Sequence, residues 1–155
     1  MRSGRTGRKG HSILELTLFL PWVLFLFVGA FDWGFYSWAL ISTQNAARVA
    51  AMYTSSNIGT STDSAGACKY AAAQLAYAPN VAGNPAINSP TGVGTGSNTC
   101  TAAPITVTAT SVTGPDGSTA SQVSVTYQTP VLIPIPGALT GQISITRTVE
   151  MRVRS

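Results

Sequence analysis

Glu15 is the residue of this 155-residue chain most able to do something a neighbouring side chain cannot. It lies five positions after Gly10, at the start of a long apolar run. A carboxylate in lipid is costly unless a positive group meets it, so it marks a functional position by default. The other chemistry-bearing residues are sparse. Cys68 and Cys100 are the only cysteines, and His11 is the only histidine. They do not make a metal site. Asp63, Asp116 and Glu150 are the acids beyond the apolar run. They have no patterned neighbours for acid–base catalysis. The chain has no glycine-rich phosphate loop and no serine–histidine pair with a credible base. These residues point to a membrane-anchored assembly component, with no cofactor and no enzymatic activity.

The element that must position Glu15 is a helix. Residues 13–41 are mostly apolar, and Leu16 to Phe31 carries no charge. About 20 apolar residues cross a bilayer as a helix, and in lipid a helix satisfies its own backbone. The predicted span is about 13–35. Arg2, Arg5, Arg8 and Lys9 precede it without an acid, which places the N-terminus on the cytoplasmic side. A removable secretory signal is the alternative. The length of the run, the interruption at Glu15 and the helical composition beyond it all argue against that. Pro21 removes one helix bond, which membrane helices tolerate. Trp33, Tyr36 and Trp38 fit an outer interface belt. Asp32 then lies near that interface, either snorkelling or in a packing or pairing role. Ser42 to Thr54 is alanine-rich and free of Gly and Pro, so the helix is expected to continue to about Thr54. From His11 this gives roughly 66 Å at 1.5 Å per residue. Its last turns stand clear of lipid, with Ala46, Ala47, Ala50 and Ala51 as a packing face.

The remainder, residues 59–155, predicts a small outer domain. Ser64 to Tyr77 reads as a short helix ended by Pro79. Residues 78–104, broken by four prolines and several glycines, read as a long loop. Ile105 to Thr113 and Ser121 to Tyr127 alternate as strands around a Gly114-Pro115-Asp116-Gly117 turn. Residues 141–153 give a further strand, with Ile143, Ile145, Val149, Met151 and Val153 inward. Arg147 shares that face, at a sheet edge or paired with a carboxylate. The prolines of residues 130–136 exclude a central strand. The apolar residues among them either fold back on the sheet or touch membrane or a neighbouring subunit. Across the membrane Cys68 and Cys100 are expected to form a disulfide, free thiols being the alternative. The fold class is α+β: a long membrane helix, a short helix and a three- or four-stranded antiparallel sheet.

The N-terminal third resembles TadE-like proteins, the minor pseudopilins of tight-adherence (Flp-type) pilus systems. Gly10, Glu15, Pro21, Asp32, Gly34, Tyr36 and Gln44-Asn45-Ala46-Ala47-Arg48 carry the resemblance, over residues 7–53. It implies a pilin-like fold and a leader, residues 1–10, cut by a prepilin peptidase between Gly10 and His11. It also implies that Glu15 is an assembly carboxylate and that the 45–48 segment is a packing or boundary element. The implied partners are the prepilin peptidase, other pilin or pseudopilin subunits, the inner-membrane assembly machinery and the lipid bilayer. The new α-amino group and Glu15 would lie on one helix face. Without the leader, five basic and five acidic side chains remain. The basic pI therefore reflects the leader and does not point to nucleic acid. Two other readings stay open: an unprocessed single-pass protein with a partner- or carbohydrate-binding outer domain, and a filament-forming subunit.

Overall fold

The computed structural model describes residues 9–85, 98–130 and 142–154. Helix α1 (Lys9–Thr54) is followed by a 3-10 turn (Ile58–Thr60) and α2 (Ser64–Gln74). Four strands complete the order: β1 (Thr99–Ala102), β2 (Ile105–Thr113), β3 (Thr119–Gln128) and β4 (Ser144–Arg152). The chain divides into two compact units, Met1–Tyr36 and Ser37–Ser155.

In the first unit the described part is helix α1. Thr17 donates its hydroxyl to the Ile13 carbonyl at 2.7 Å. Pro21 stands inside the helix and has no N–H for the carbonyl four residues earlier, that of Thr17.

The second unit contains the last turns of α1. Ala39, Thr43, Ala46, Ala47, Ala50, Ala51 and Thr54 are fully buried there. They recur every three or four residues, the spacing of one helix face. Alanine lets that face approach its cover closely and is the strongest helix former. Hydrogen bonds hold the end of the helix in place. The Ser121 hydroxyl on β3 lies 2.8 Å from that of Thr54 and 2.9 Å from the Ser61 carbonyl. The Arg154 amide donates to the Ser55 carbonyl at 2.9 Å.

The sheet is antiparallel throughout, in the order β1-β2-β3-β4. One face carries Ile105, Val107 and Ala109 opposite Tyr127, Val125 and Val123, all fully buried. Its other face is built of hydroxyls: Thr106–Thr126–Thr146 and Thr108–Ser124–Thr148 lie in register across three strands. The alternation that predicts strands is therefore the alternation of core and solvent faces. The β2–β3 turn forms where Gly114 to Gly117 predict it. The Gly117 amide donates to the Gly114 carbonyl at 2.9 Å. Gly117 takes a φ of +76°, which favours glycine.

Three expectations need correction. The loop predicted over 78–104 ends in a strand: Thr99–Ala102 pairs with β2 from Thr99↔Thr108 to Ala102↔Ile105. Four residues beside Ala103-Pro104 are too few for alternation to register. Helix α2 stops at Gln74 rather than Tyr77: Leu75 leaves the helical backbone at φ −97° and ψ 7°, and the Ala78 amide then donates to the Leu75 carbonyl in a tight turn. Ile143 precedes β4 and is exposed, while Ile145 is buried. Residues 86–97 and 131–141 lie outside the described residues, and with them all of the proline-rich segment 130–136 except Pro130.

Arg147 stands on the core face, opposite Val125, on edge strand β4, and is half-buried. An inward-pointing charge is one way an edge strand resists pairing with another chain.

Candidate assembly helix

Glu15 and Asp32 are both placed by α1. Glu15 is exposed and Asp32 half-exposed. They are 17 residues apart, about 26 Å along a helix, which is less than the roughly 30 Å hydrocarbon core of a bilayer. When one of them sits at an interface, the other is still within lipid or at its opposite margin. The side chains around them are the reverse of a protein core. Leu18, Phe19, Trp22, Phe25, Phe27 and Trp33 are each more than 60% exposed. An apolar surface of this extent marks a membrane or an assembly contact. Among the described residues one helix, from Ile13 to Thr54, is long and apolar enough to cross a membrane.

Pro21 and Gly34 are exposed on this helix and Tyr36 is half-buried. A Cβ added at Gly34 meets nothing within 4 Å, so no contact among the described residues explains glycine there. The backbone of Gly10 and His11 lies within α1. Their side-chain environment and the leader before Lys9 lie outside the described residues.

In the second unit the 45–48 segment separates by face. Ala46 and Ala47 are fully buried, whereas Asn45 and Arg48 are exposed. The structure thus brings the alanines into the core and leaves the amide and the guanidinium on the surface.

The last turn of α1 is locked to α2 by a cluster that the sequence does not single out. The Tyr53 hydroxyl donates to Asp63 Oδ2 at 2.6 Å, and its ring lies 4.9 Å from that of Tyr70. Asp63 is the N-cap of α2, accepting from the Gly66 amide at 3.0 Å. A carboxylate is favoured at that end of a helix. The Tyr53 hydroxyl and the Gly66 amide hold the Asp63 carboxyl below its ordinary range. The same hydrogen bond, helped by burial, pushes the Tyr53 hydroxyl up to about 12. Asp63 before a helical run is a capping signal legible in sequence. Its tyrosine partner, ten residues earlier, is not.

Cys68 and Cys100 form a disulfide with Cα atoms 6.1 Å apart, tying α2 to β1. Both are buried. At the far end of the sheet the fully buried Tyr127 donates to Asn80 Oδ1 at 2.7 Å. Asn80 in turn donates to the Gln128 carbonyl at 2.7 Å.

Residues 10–52 match the family model of TadE-like proteins. The match covers the apolar helix with both carboxylates and the Asn45–Arg48 segment, and it stops before the outer sheet. No curated protein and no solved structure matches the chain.

Proposed function

We propose that this chain is a minor pilin-like subunit of a tight-adherence (Flp-type) pilus or a related secretion system. The observation that carries the reading is a coincidence of extent. The TadE-like match spans 10–52, and within it lies the apolar segment of α1, residues 13–33, whose large side chains are exposed. In this reading residues 1–10 are a leader and 11–58 the assembly helix, embedded in lipid at about 13–35. Residues 59–155 form the outer domain. The four basic leader residues hold the N-terminus in the cytoplasm, and the anchor lies in the inner membrane of a bacterium. A prepilin peptidase cuts between Gly10 and His11.

The physical role of Glu15 follows from the cost of charge in lipid. A freshly made α-amino group and a carboxylate four residues later stand on one helix face. Each offsets the burial of the other, within a subunit or between neighbours. Pairing between neighbours draws helices together as the subunit leaves the bilayer for the assembly. The role is architectural and non-enzymatic. The subunit is the substrate of the peptidase, and its other partners are fellow subunits and the assembly machinery.

The test is Glu15→Ala with two readouts. Membrane fractionation should show insertion unchanged, because the substitution raises apolarity. Pilus assembly should fall sharply. Normal piliation in this variant, or a working chain that keeps its leader by N-terminal mass analysis, overturns the reading.

A further inference from the structure

After the leader the chain has four arginines, Arg48, Arg147, Arg152 and Arg154, and the fold gathers them along one edge of the second unit. Arg147 and Arg152 stand on β4, and Arg154 follows it. The Arg154 amide donates to the Ser55 carbonyl at 2.9 Å, and Met151 Sδ lies 4.0 Å from the Ser55 hydroxyl, so β4 runs beside the end of α1. Met151 is the last residue but one of β4. From there the sheet extends only toward Ser144, and the buried stripe from Ala39 to Thr54 lays α1 along it. Arg48 is seven residues before Ser55, two turns back on the same side of the helix, about 10 Å. The same distance back along β4 from Met151, at about 3.4 Å per residue, reaches residues 147–149. Arg48 and Arg147 therefore stand level on the two sides of the α1–β4 junction. Arg48 is exposed and Arg147 half-buried, as are Val149 and Met151. Met52, one turn beyond Arg48, is 57% exposed.

The carboxylates lie elsewhere. Residues 37–155 hold five basic and three acidic side chains. Asp63 caps α2 and accepts from Tyr53. Asp116 accepts from Ser118 and pairs with Arg152 at 3.4 Å. Glu150 is exposed. It is three positions from Arg147 on β4, and so on the opposite face of the sheet. Among the described residues neither Arg48 nor Arg147 has an ion pair. Two guanidiniums beside methionine and valine side chains make a surface of the kind proteins present to each other, where arginine and methionine are enriched. Its charge is complementary to carboxylates.

We infer that the α1–β4 junction docks an acidic face of a different protein subunit, whose carboxylates meet Arg48 and Arg147 over Met52, Val149 and Met151. A second copy of this chain fits badly. Its Glu150 stands on β4 between its own Arg147 and Arg152, so presenting it sets arginine against arginine, and like-charge juxtaposition suppresses a wrong partner. Its Glu15 and Asp32 belong to the lipid-embedded part of α1 in the proposed reading. Arg147 also closes the β4 edge to strand addition, so the contact runs through side chains. The inference deepens the proposed assembly role and rests on that reading. It makes the chain a joint between unlike subunits, as suits a minor component.

The experiment is photo-cross-linking of the full chain in its native membranes, with benzoylphenylalanine as the probe in place of Met52. The expected product joins this chain to a different protein, at a carboxylate-bearing segment mapped by peptide mass spectrometry. Arg48→Gln should lower the yield by up to about fivefold, the scale of one exposed ion pair, and Arg48→Lys should keep most of it. Arg147→Gln should act in the same direction, with near-UV circular dichroism to check the fold. Arg48 is exposed, so its variants keep the test decisive if Arg147→Gln unfolds. Arg48→Glu should be rescued by replacing the mapped carboxylate of the partner with arginine. Lys69→Gln, on α2, should leave the yield unchanged. A product joining two copies of this chain, a product with lipid alone, a mapped segment without carboxylates, no effect of Arg48→Gln, no rescue, or an equal loss with Lys69→Gln overturns the inference. N-terminal mass on the same sample separates the two readings. A chain beginning at His11 with no arginine-dependent product sinks the docking surface and leaves the assembly role standing. A retained leader sinks both.

Discussion

Gly66→Ala should unlock α1 from α2 at a single atom. A Cβ at Gly66 would fall on Cε1, Cζ and Oη of Tyr53, far inside van der Waals contact. Either the helix backbone moves or the tyrosine ring does. The ring is the softer partner, yet its hydroxyl is fixed 2.6 Å from Asp63 and its face packs on Tyr70. Swinging it out forfeits a hydrogen bond to a carboxylate, worth about 1.5–3 kcal/mol where well buried. This cluster is only partly buried, so solvent competition brings the expected loss to about 1–2 kcal/mol. Overpacking by one methyl costs a similar amount. The assay is urea unfolding of the full chain in detergent, followed by near-UV circular dichroism. In a Tyr53→Ala background the same Gly66→Ala change should reverse sign. With the ring gone, alanine in a helix is better than glycine by about 0.5–1 kcal/mol. The pH dependence gives a second signature. Asp63 has its carboxyl held low in the folded state. Its contribution is therefore present above the ordinary carboxylate range and is lost as pH falls through the lowered value. The advantage of the parent over Gly66→Ala should shrink in acid. Equal destabilisation with and without Tyr53, or no destabilisation at all, would refute the close-approach argument.

Two further outcomes are expected. The Cys68–Cys100 bridge closes 32 residues, for which loop-closure entropy gives about 4 kcal/mol. The double Cys→Ser variant should lose up to that amount in urea unfolding, and an unchanged midpoint would rule out the bridge as a support of the domain. In alkaline titration Tyr53 and Tyr127 should ionise late, since the Asp63 hydrogen bond lifts one and burial the other, each to about 12. Both are raised in the folded state, so their contribution holds below the ordinary value of 10.0 and is lost as pH rises through about 12. Tyrosinate absorbance without a component near pH 12 would contradict that placement.

Much of this architecture is legible without coordinates, for physical reasons that differ by element. Leu16 to Phe31 has to be a helix in lipid because nothing else satisfies its backbone there. Alanine spacing in residues 46–51 marks a packing face because only small side chains allow close approach. Alternation in residues 105–113 and 121–127, broken by Gly114 to Gly117, is the two-faced periodicity of a hairpin. Glu15 stands out because a carboxylate in an apolar run is improbable without a use. What depended on tertiary structure was set by partners distant in sequence. Thr99–Ala102 becomes a strand because β2 is there to pair with it. Tyr53 and Gly66 fit together through a clearance of a few ångströms that no local pattern encodes. Asn45 and Arg48 differ from Ala46 and Ala47 because the packed domain covers one side of α1 and leaves the other open. Local periodicity carries information about which face is apolar, and only the folded chain decides which face is covered.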